Sequence, residues 1–203
     1  TANTLLGHQV NLPLDIKLAL RQTQGRPPYG VELKIVDDEG ATLPEDGVIK
    51  GNLIVRGHWV IKDYFRSTIG TTLSNGWFPT GDVATIDHDG FMTICDRAKD
   101  IIKSGGEWIS TVELEGIAIS HPAIVDAAVI AVKHEKWDER PLLVVVRAPD
   151  SSLTDNDLLY YFEGKVAKWQ IPDAVIFVDE LPRNGTGKIL KNRLRERYAD
   201  ILA

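Results

Sequence analysis

The feature that most constrains how this chain can fold is a change of hydrophobic period across one short charged segment, Asp96 to Ser110 (DRAKDIIKSGGEWIS). Upstream of it, Val31 to Val36 alternates apolar and polar residues strictly, as a half-buried strand requires. Gly47 to Gly57 repeats the alternation through Ile49, Leu53 and Val55. Val83 to Asp87 and Phe91 to Cys95 read as two more strands. Turn residues separate these runs at Asp37-Asp38-Glu39-Gly40, Asn75-Gly76 and Asp87-His88-Asp89-Gly90. The aromatic run Trp59 to Phe65 is expected to pack beneath the second strand. Several short strands divided by turns predict a small distorted β-barrel or sandwich.

Downstream the period lengthens. Ser110-Thr111-Val112-Glu113 has the form of a capping box, and Leu114, Ile117 and Ala118 make a helical stripe that His121-Pro122 stops. Ile124 to Val132, interrupted only by Asp126, and Pro141 to Val146 are apolar runs of strand character, the pattern of buried strands. Thr154-Asp155-Asn156-Asp157 caps a helix through Leu158, Leu159, Phe162 and Val166, Ala174 to Val178 reads as a third strand, and a last helix runs from about Gly187 to Tyr198. The expected fold class is therefore α+β: a β-rich part over residues 1–98, with a short helix near Leu14 to Leu20, then a compact α+β domain over residues 99–203. The abrupt start, without Met, suggests a piece of a longer protein.

Composition removes several function classes. A formal net charge of -6 argues against a nucleic-acid partner, which calls for a clustered basic surface. The single cysteine, Cys95, can form no internal disulfide and makes a cysteine metal site implausible, and the five His residues lack metal-ligand spacing. No apolar run approaches the roughly 20 residues needed to cross a bilayer, and no targeting segment is legible. The expected location is cytoplasmic.

Three constellations can carry chemistry. In Asp96 to Ser110, the charged residues Asp96, Arg97, Lys99 and Asp100, an Ile101-Ile102 pair, Lys103 and Ser104-Gly105-Gly106 stand where an ordinary connector has two or three neutral turn residues. The glycines permit positive φ and close approach of a ligand, although a charged hairpin between two subdomains fits the spacing as well. In Gly76-Trp77-Phe78-Pro79-Thr80-Gly81-Asp82, a carboxylate follows a Thr-Gly turn, where it can accept two hydrogen bonds from a vicinal diol; a hairpin with an Asx cap is the plainer alternative. In Asn184-Gly185-Thr186-Gly187-Lys188, a Gly-Thr-Gly loop ends in a lysine at the expected helix start, where an anion would meet an ammonium and free N–H groups. A solvated helix lysine is the alternative. The loop is not a nucleotide-binding phosphate loop of the GxxxxGK[ST] kind, since the first glycine is missing and Ile189 follows the lysine.

In this order the three motifs resemble the C-terminal part of the acyl-adenylate-forming enzymes, which include acyl-CoA synthetases, luciferases and peptide-synthetase adenylation domains, and the resemblance covers essentially the whole chain. It implies that Asp82 binds the ribose hydroxyls of ATP and AMP, that Arg97 makes a second ribose or phosphate contact, and that Lys99 is an interdomain hinge. Lys103, Ser104, Gly105, Gly106, Glu107 and Trp108 would lie on the loop lining the tunnel for the pantetheine of coenzyme A. Lys188 would reach the substrate carboxylate and the α-phosphate during adenylation. Residues 1–98 would end a large N-terminal domain whose phosphate loop, adenine segment and acyl pocket lie upstream, and residues 99–203 would be a mobile lid.

The stretches Lys103 to Ser110 and Lys136 to Pro141 look like the fatty-acyl-CoA synthetase branch, with its medium- and long-chain and methylthiopropionate ligases. The resemblance thus implies an AMP-forming acyl-CoA synthetase using ATP, Mg²⁺ and coenzyme A on a carboxylic acid, in which this stretch alone is inactive. A ligase that loads a carrier protein, and a non-catalytic module that keeps the fold, are the alternatives.

Overall fold

The computed structural model describes residues 1–65, 75–199 and 201. The chain divides into two compact units, Thr1–Lys99 and Asp100–Ala203. In the first, helix α1 (Leu14–Gln22) precedes strands β1 (Val31–Val36), β2 (Gly51–Gly57), β3 (Phe78–Ile86) and β4 (Met92–Arg97). The strands pair in sequence order, all antiparallel. Ile35, Leu53, Ala84, Ile86 and Met92 form the core on one side of this sheet, while Val36, Ile54 and Trp77 make a second buried cluster. The two clusters take alternate residues of β1 and β2, as the period of two demands.

The sheet is open and does not close into a barrel. Four strands paired consecutively leave β1 and β4 as edges, and closure needs more strands with a fixed tilt and stagger. Other segments cover those edges: Leu43 N–H donates to Ile35 O along β1, and the Gln24 and Met92 N–H groups bond Met92 O and Gly25 O along β4. The aromatic run after β2 also differs from expectation. Trp59 is 79% exposed and Phe65 89%, and Tyr64 meets Phe78 edge to face at 5.9 Å. The chain turns at Gly57, where Val60 N–H bonds Gly57 O, so the run leaves the sheet and does not pass under it.

In the second unit the elements are β5 (Ile102–Ser104), β6 (Glu107–Ile109), α2 (Thr111–Ile119), β7 (Ile124–His134), β8 (Asp138–Arg147), α3 (Asp155–Tyr161), β9 (Ala174–Phe177) and α4 (Lys191–Tyr198). Strand β8 is central: it pairs antiparallel with β7, parallel with β9, and through Asp138 with Ser104 of β5. The apolar runs have a simple cause. Ala127, Val129, Leu143 and Val145 pack with Leu114 and Ala118 of α2 and with Leu158 and Phe162, while Ala128, Ile130, Val132, Leu142 and Val144 pack with Leu181 and with Leu194 of α4. Both faces of β7 and β8 are covered, so no position is left for a polar alternation.

Two caps form as their sequences dictate. Ser110 Oγ accepts from Glu113 N–H at 3.2 Å, and Thr154 and Asp157 make a reciprocal capping box. Two helix ends differ. α3 stops at Tyr161, before Val166, because Glu163 to Val166 turns through Gly164 at φ +75°. α4 begins at Lys191, four residues beyond Gly187, because Arg183 and Ile189 pair as an antiparallel bridge and close residues 184–188 into a loop.

Candidate functional site

In the first unit, Thr80-Gly81-Asp82 lies within β3 and not in a turn before it. Pro79 opposes Ile54 and Val83 opposes Asn52, so three residues of β3 face the single Leu53. Such a bulge re-aims side chains. Thr80 Oγ1 stabilises it by donating to Leu53 O at 3.0 Å and accepting from Asp82 N–H at 3.1 Å. Gly81 adopts φ +76° with open space where a Cβ would stand, so backbone conformation and not crowding calls for glycine. Asp82 is thereby set opposite Arg97 of β4, and carboxylate and guanidinium pair at 2.9 Å. The Asp82 side chain is 18% exposed and that of Arg97 61%, so a recessed acceptor stands beside an accessible donor.

Ala98 N–H bonds back to Gly81 O at 2.9 Å, and the Asp100 carboxylate pairs with Arg195 of α4. Lys99, exposed in a turn, stands between the last tie to the first unit and the first tie to the second. Also in the first unit, a cavity of about 640 Å³ is lined by Glu32, Arg56, His58 and Lys62 among others. There the Arg56 guanidinium, bonded to Glu32 at 2.7 and 3.1 Å, holds the Glu32 carboxyl below its ordinary value.

In the second unit, Lys103 to Trp108 form the β5–β6 hairpin. Gly105 and Gly106 take φ +59° and +89°, the two positive values a two-residue type I′ turn requires. Gly105 is tied down: its N–H bonds Trp137 O at 2.9 Å, and a Cβ there would lie 2.8 Å from the Trp137 ring. Gly106 faces open space. Lys103 stands over the Trp108 ring at 5.3 Å, its N–H donating to Glu139 at 2.8 Å. Ser104 is buried and accepts at Oγ from Arg140, so its hydroxyl is directed into the unit.

Beside this turn opens a cavity of about 560 Å³, lined by Trp137, Trp169, Arg140, Glu107 and Asp173 among others. Arg140 is only 8% exposed, and its fork also bonds Asp173, Trp169 O and Ile171 O.

Lys188 is exposed on the 184–188 loop of the same unit, off any helix, so the expected helix N-terminus is not part of its setting. The structure thus joins Asp82 to Arg97, sets Lys103 to Trp108 on one hairpin, and carries Lys188 on a separate loop.

The model for the AMP-binding enzyme C-terminal domain matches residues 113–188. Across 202 residues, all of this chain, the sequence is 76% identical to the medium-chain-fatty-acid–CoA ligase of Ectopseudomonas oleovorans. Residues 113–188 thus carry the pattern of an AMP-binding enzyme C-terminal domain. The chain spans 37% of that relative's length. A second relative, the 3-methylmercaptopropionyl-CoA ligase of Ruegeria pomeroyi, is 60% identical over the same span and is covered to 38%. The crystal structure of ATP-bound MatB from Rhodopseudomonas palustris superposes with a TM-score of 0.77 at 35% identity, over 90% of this chain and 37% of that one.

The sequence alone assigns Trp169, Arg140 and Asp173 to no site. Their contacts lie 29 to 36 residues apart along the chain. The one local signal is an arginine immediately before a wholly apolar strand run, Pro141 to Val146.

Proposed function

We propose that the protein of which this chain forms the C-terminal part is an ATP-dependent acyl-CoA ligase acting on a fatty acid. The substrate carboxylate attacks the α-phosphorus of ATP, the bond to the β-phosphate breaks, and pyrophosphate leaves; the thiol of coenzyme A then attacks the acyl carbonyl and AMP leaves. Asp82 accepts from the ribose hydroxyls, with Arg97 beside it as donor to ribose or phosphate. Lys188 offsets the negative charge that builds as the carboxylate meets the α-phosphate. Lys99 is the hinge about which residues 99–203 turn between the two steps, and the Gly105-Gly106 turn lines the pantetheine path. Mg²⁺ bound with ATP would supply positive charge to offset that of the phosphates; among the described residues no three His, Cys, Asp or Glu cluster as ligands for it. No helix in the described residues is long and apolar enough to cross a membrane, in keeping with a cytoplasmic enzyme.

The observation that carries this reading is that all three motifs fall inside a match running the length of the chain at 76% identity to a named medium-chain-fatty-acid–CoA ligase. The test is fatty-acid-dependent ATP–pyrophosphate exchange by the full-length protein, followed by AMP formation on adding coenzyme A. Medium-chain acids should support both. Exchange with no carboxylate would refute the reading, and transfer to a carrier-protein thiol with none to coenzyme A would replace the acceptor.

A further inference from the structure

The geometry points to Asn184 and Arg183 as positioning residues that hold Lys188 in place for adenylation, an inference that rests on the role proposed above for Lys188. An exposed five-residue loop with two glycines should sample many conformations, and a lysine on it would have to be ordered at each turnover. Here the loop is held by its own first residue. Asn184 Oδ1 accepts three hydrogen bonds, from Thr186 N–H at 3.0 Å, Thr186 Oγ1 at 2.8 Å and Lys188 N–H at 2.9 Å. The Asn184 N–H donates to Lys188 O at 2.9 Å, and Asn184 O accepts from Gly187 N–H at 2.9 Å. Both backbone polar groups of Lys188 are therefore bonded to Asn184, so its Cα and the base of its side chain are set by one neighbour.

Arg183 ties this small ring to the sheet. Its guanidinium donates to Gly187 O within the loop and to the Asp126 carboxylate on β7, the strand whose alternate residues fill both cores. Asp126 is itself oriented by accepting from Ala127 N–H at 3.0 Å. The path from β7 to Lys188 thus runs through the Asp126 carboxylate, the Arg183 guanidinium and the Gly187 carbonyl, which is bonded covalently to Lys188.

Neither side chain is needed for the core. The Arg183 side chain is 45% exposed, and Asn184 to Lys188 are all exposed. The Arg183 end of the pair is open to solvent, which screens its attraction to the half-buried Asp126, so the arrangement is better explained by the geometry it imposes than by what it adds to folding. Since misplacing a reacting group by about 1 Å can lower a rate about 10²-fold, loosening this loop should slow the step that uses Lys188 and spare the one that does not.

The test is made in the full-length enzyme by separate assay of the two half-reactions. Asn184→Ala should slow fatty-acid-dependent pyrophosphate exchange by roughly 10- to 100-fold, chiefly in kcat, while thioester formation from supplied acyl-adenylate stays within about twofold of wild type. Asn184→Ser, whose hydroxyl can accept from Thr186 N–H as a serine turn does, should recover part of the loss. Arg183→Met should give the same one-sided pattern, and the double variant should lose less than the product of the single effects, because both act on one loop. An equal fall in both half-reactions, exchange within about twofold of wild type in Asn184→Ala, or no recovery with serine overturns the proposal.

A second readout separates this inference from the function reading. Amide hydrogen exchange of Thr186, Gly187 and Lys188 in the unaltered protein should be protected, and about tenfold less so in Asn184→Ala. Unprotected amides sink the positioning role whatever the enzyme does; protected amides with no exchange activity sink the function and leave the loop as described.

Discussion

Arg140→Ala tests how the second unit is held together around its cavity. The substitution removes the side chain that bonds Asp173, Ser104, Trp169 O and Ile171 O, and so cuts the tie between β5, the start of β8 and the segment leading into β9. Removing one partner of a buried ion pair costs about 3–5 kcal/mol. The lower end applies, because the Asp173 side chain is 27% exposed and Trp169 lines an open cavity, so water can replace part of what is lost. With about 3 kcal/mol lost and about 4 °C or more per kcal/mol for a unit of this size, its melting transition should fall by at least about 12 °C. Calorimetry is the appropriate assay, since a chain with two compact units need not unfold in a single step.

Arg140→Lys should rescue little, because an ammonium cannot present a planar fork to a carboxylate, a hydroxyl and two carbonyls at once. Asp173→Ala should also destabilise, and the double variant should cost clearly less than the two single losses added together. Additivity within about 0.5 kcal/mol would mean the two residues do not act as a pair, and the reasoning fails.

Lys188→Ala in the full-length enzyme should lower pyrophosphate exchange by roughly 10²–10³ while sparing thioester formation from supplied adenylate, and Gly106→Leu should do the reverse; equal loss in both steps from Lys188→Ala refutes its proposed role. Lys99→Pro, which fixes φ at the residue between the two units, should slow one half-reaction far more than the other with folding intact, as measured by the same pair of assays. Asp157 accepts from the Thr154 hydroxyl and N–H, which hold its carboxyl below the ordinary value of 3.8. Its contribution to folding is therefore present above the unfolded value and is lost as pH falls through the lowered folded one. Wild type should be more stable than Asp157→Asn at pH 7, and denaturant titrations of the two should converge as the solution is made strongly acidic.

The sequence by itself determined the features that depend on neighbours along the chain. Ser110 with Glu113, and Thr154 with Asp157, cap helices because a side chain can reach an N–H three residues on whatever surrounds it. Gly105-Gly106 turns between β5 and β6 because only glycine takes two positive φ values without strain. The apolar runs of β7 and β8, broken only by Asp126, already marked both as buried strands, and the structure covers them on both faces. Tertiary structure decided what depends on pairing at a distance. Strand order left the first sheet open, and three residues crowded opposite Leu53 turned Thr80-Gly81-Asp82 from an expected turn into a bulge facing Arg97. The Arg183–Ile189 bridge drew Lys188 off its expected helix. Arg140 reads locally as one charge before a strand, and it acquires its role only when folding brings Ser104, Trp169, Ile171 and Asp173 around it, because a guanidinium buried to that degree must find its acceptors wherever the chain supplies them.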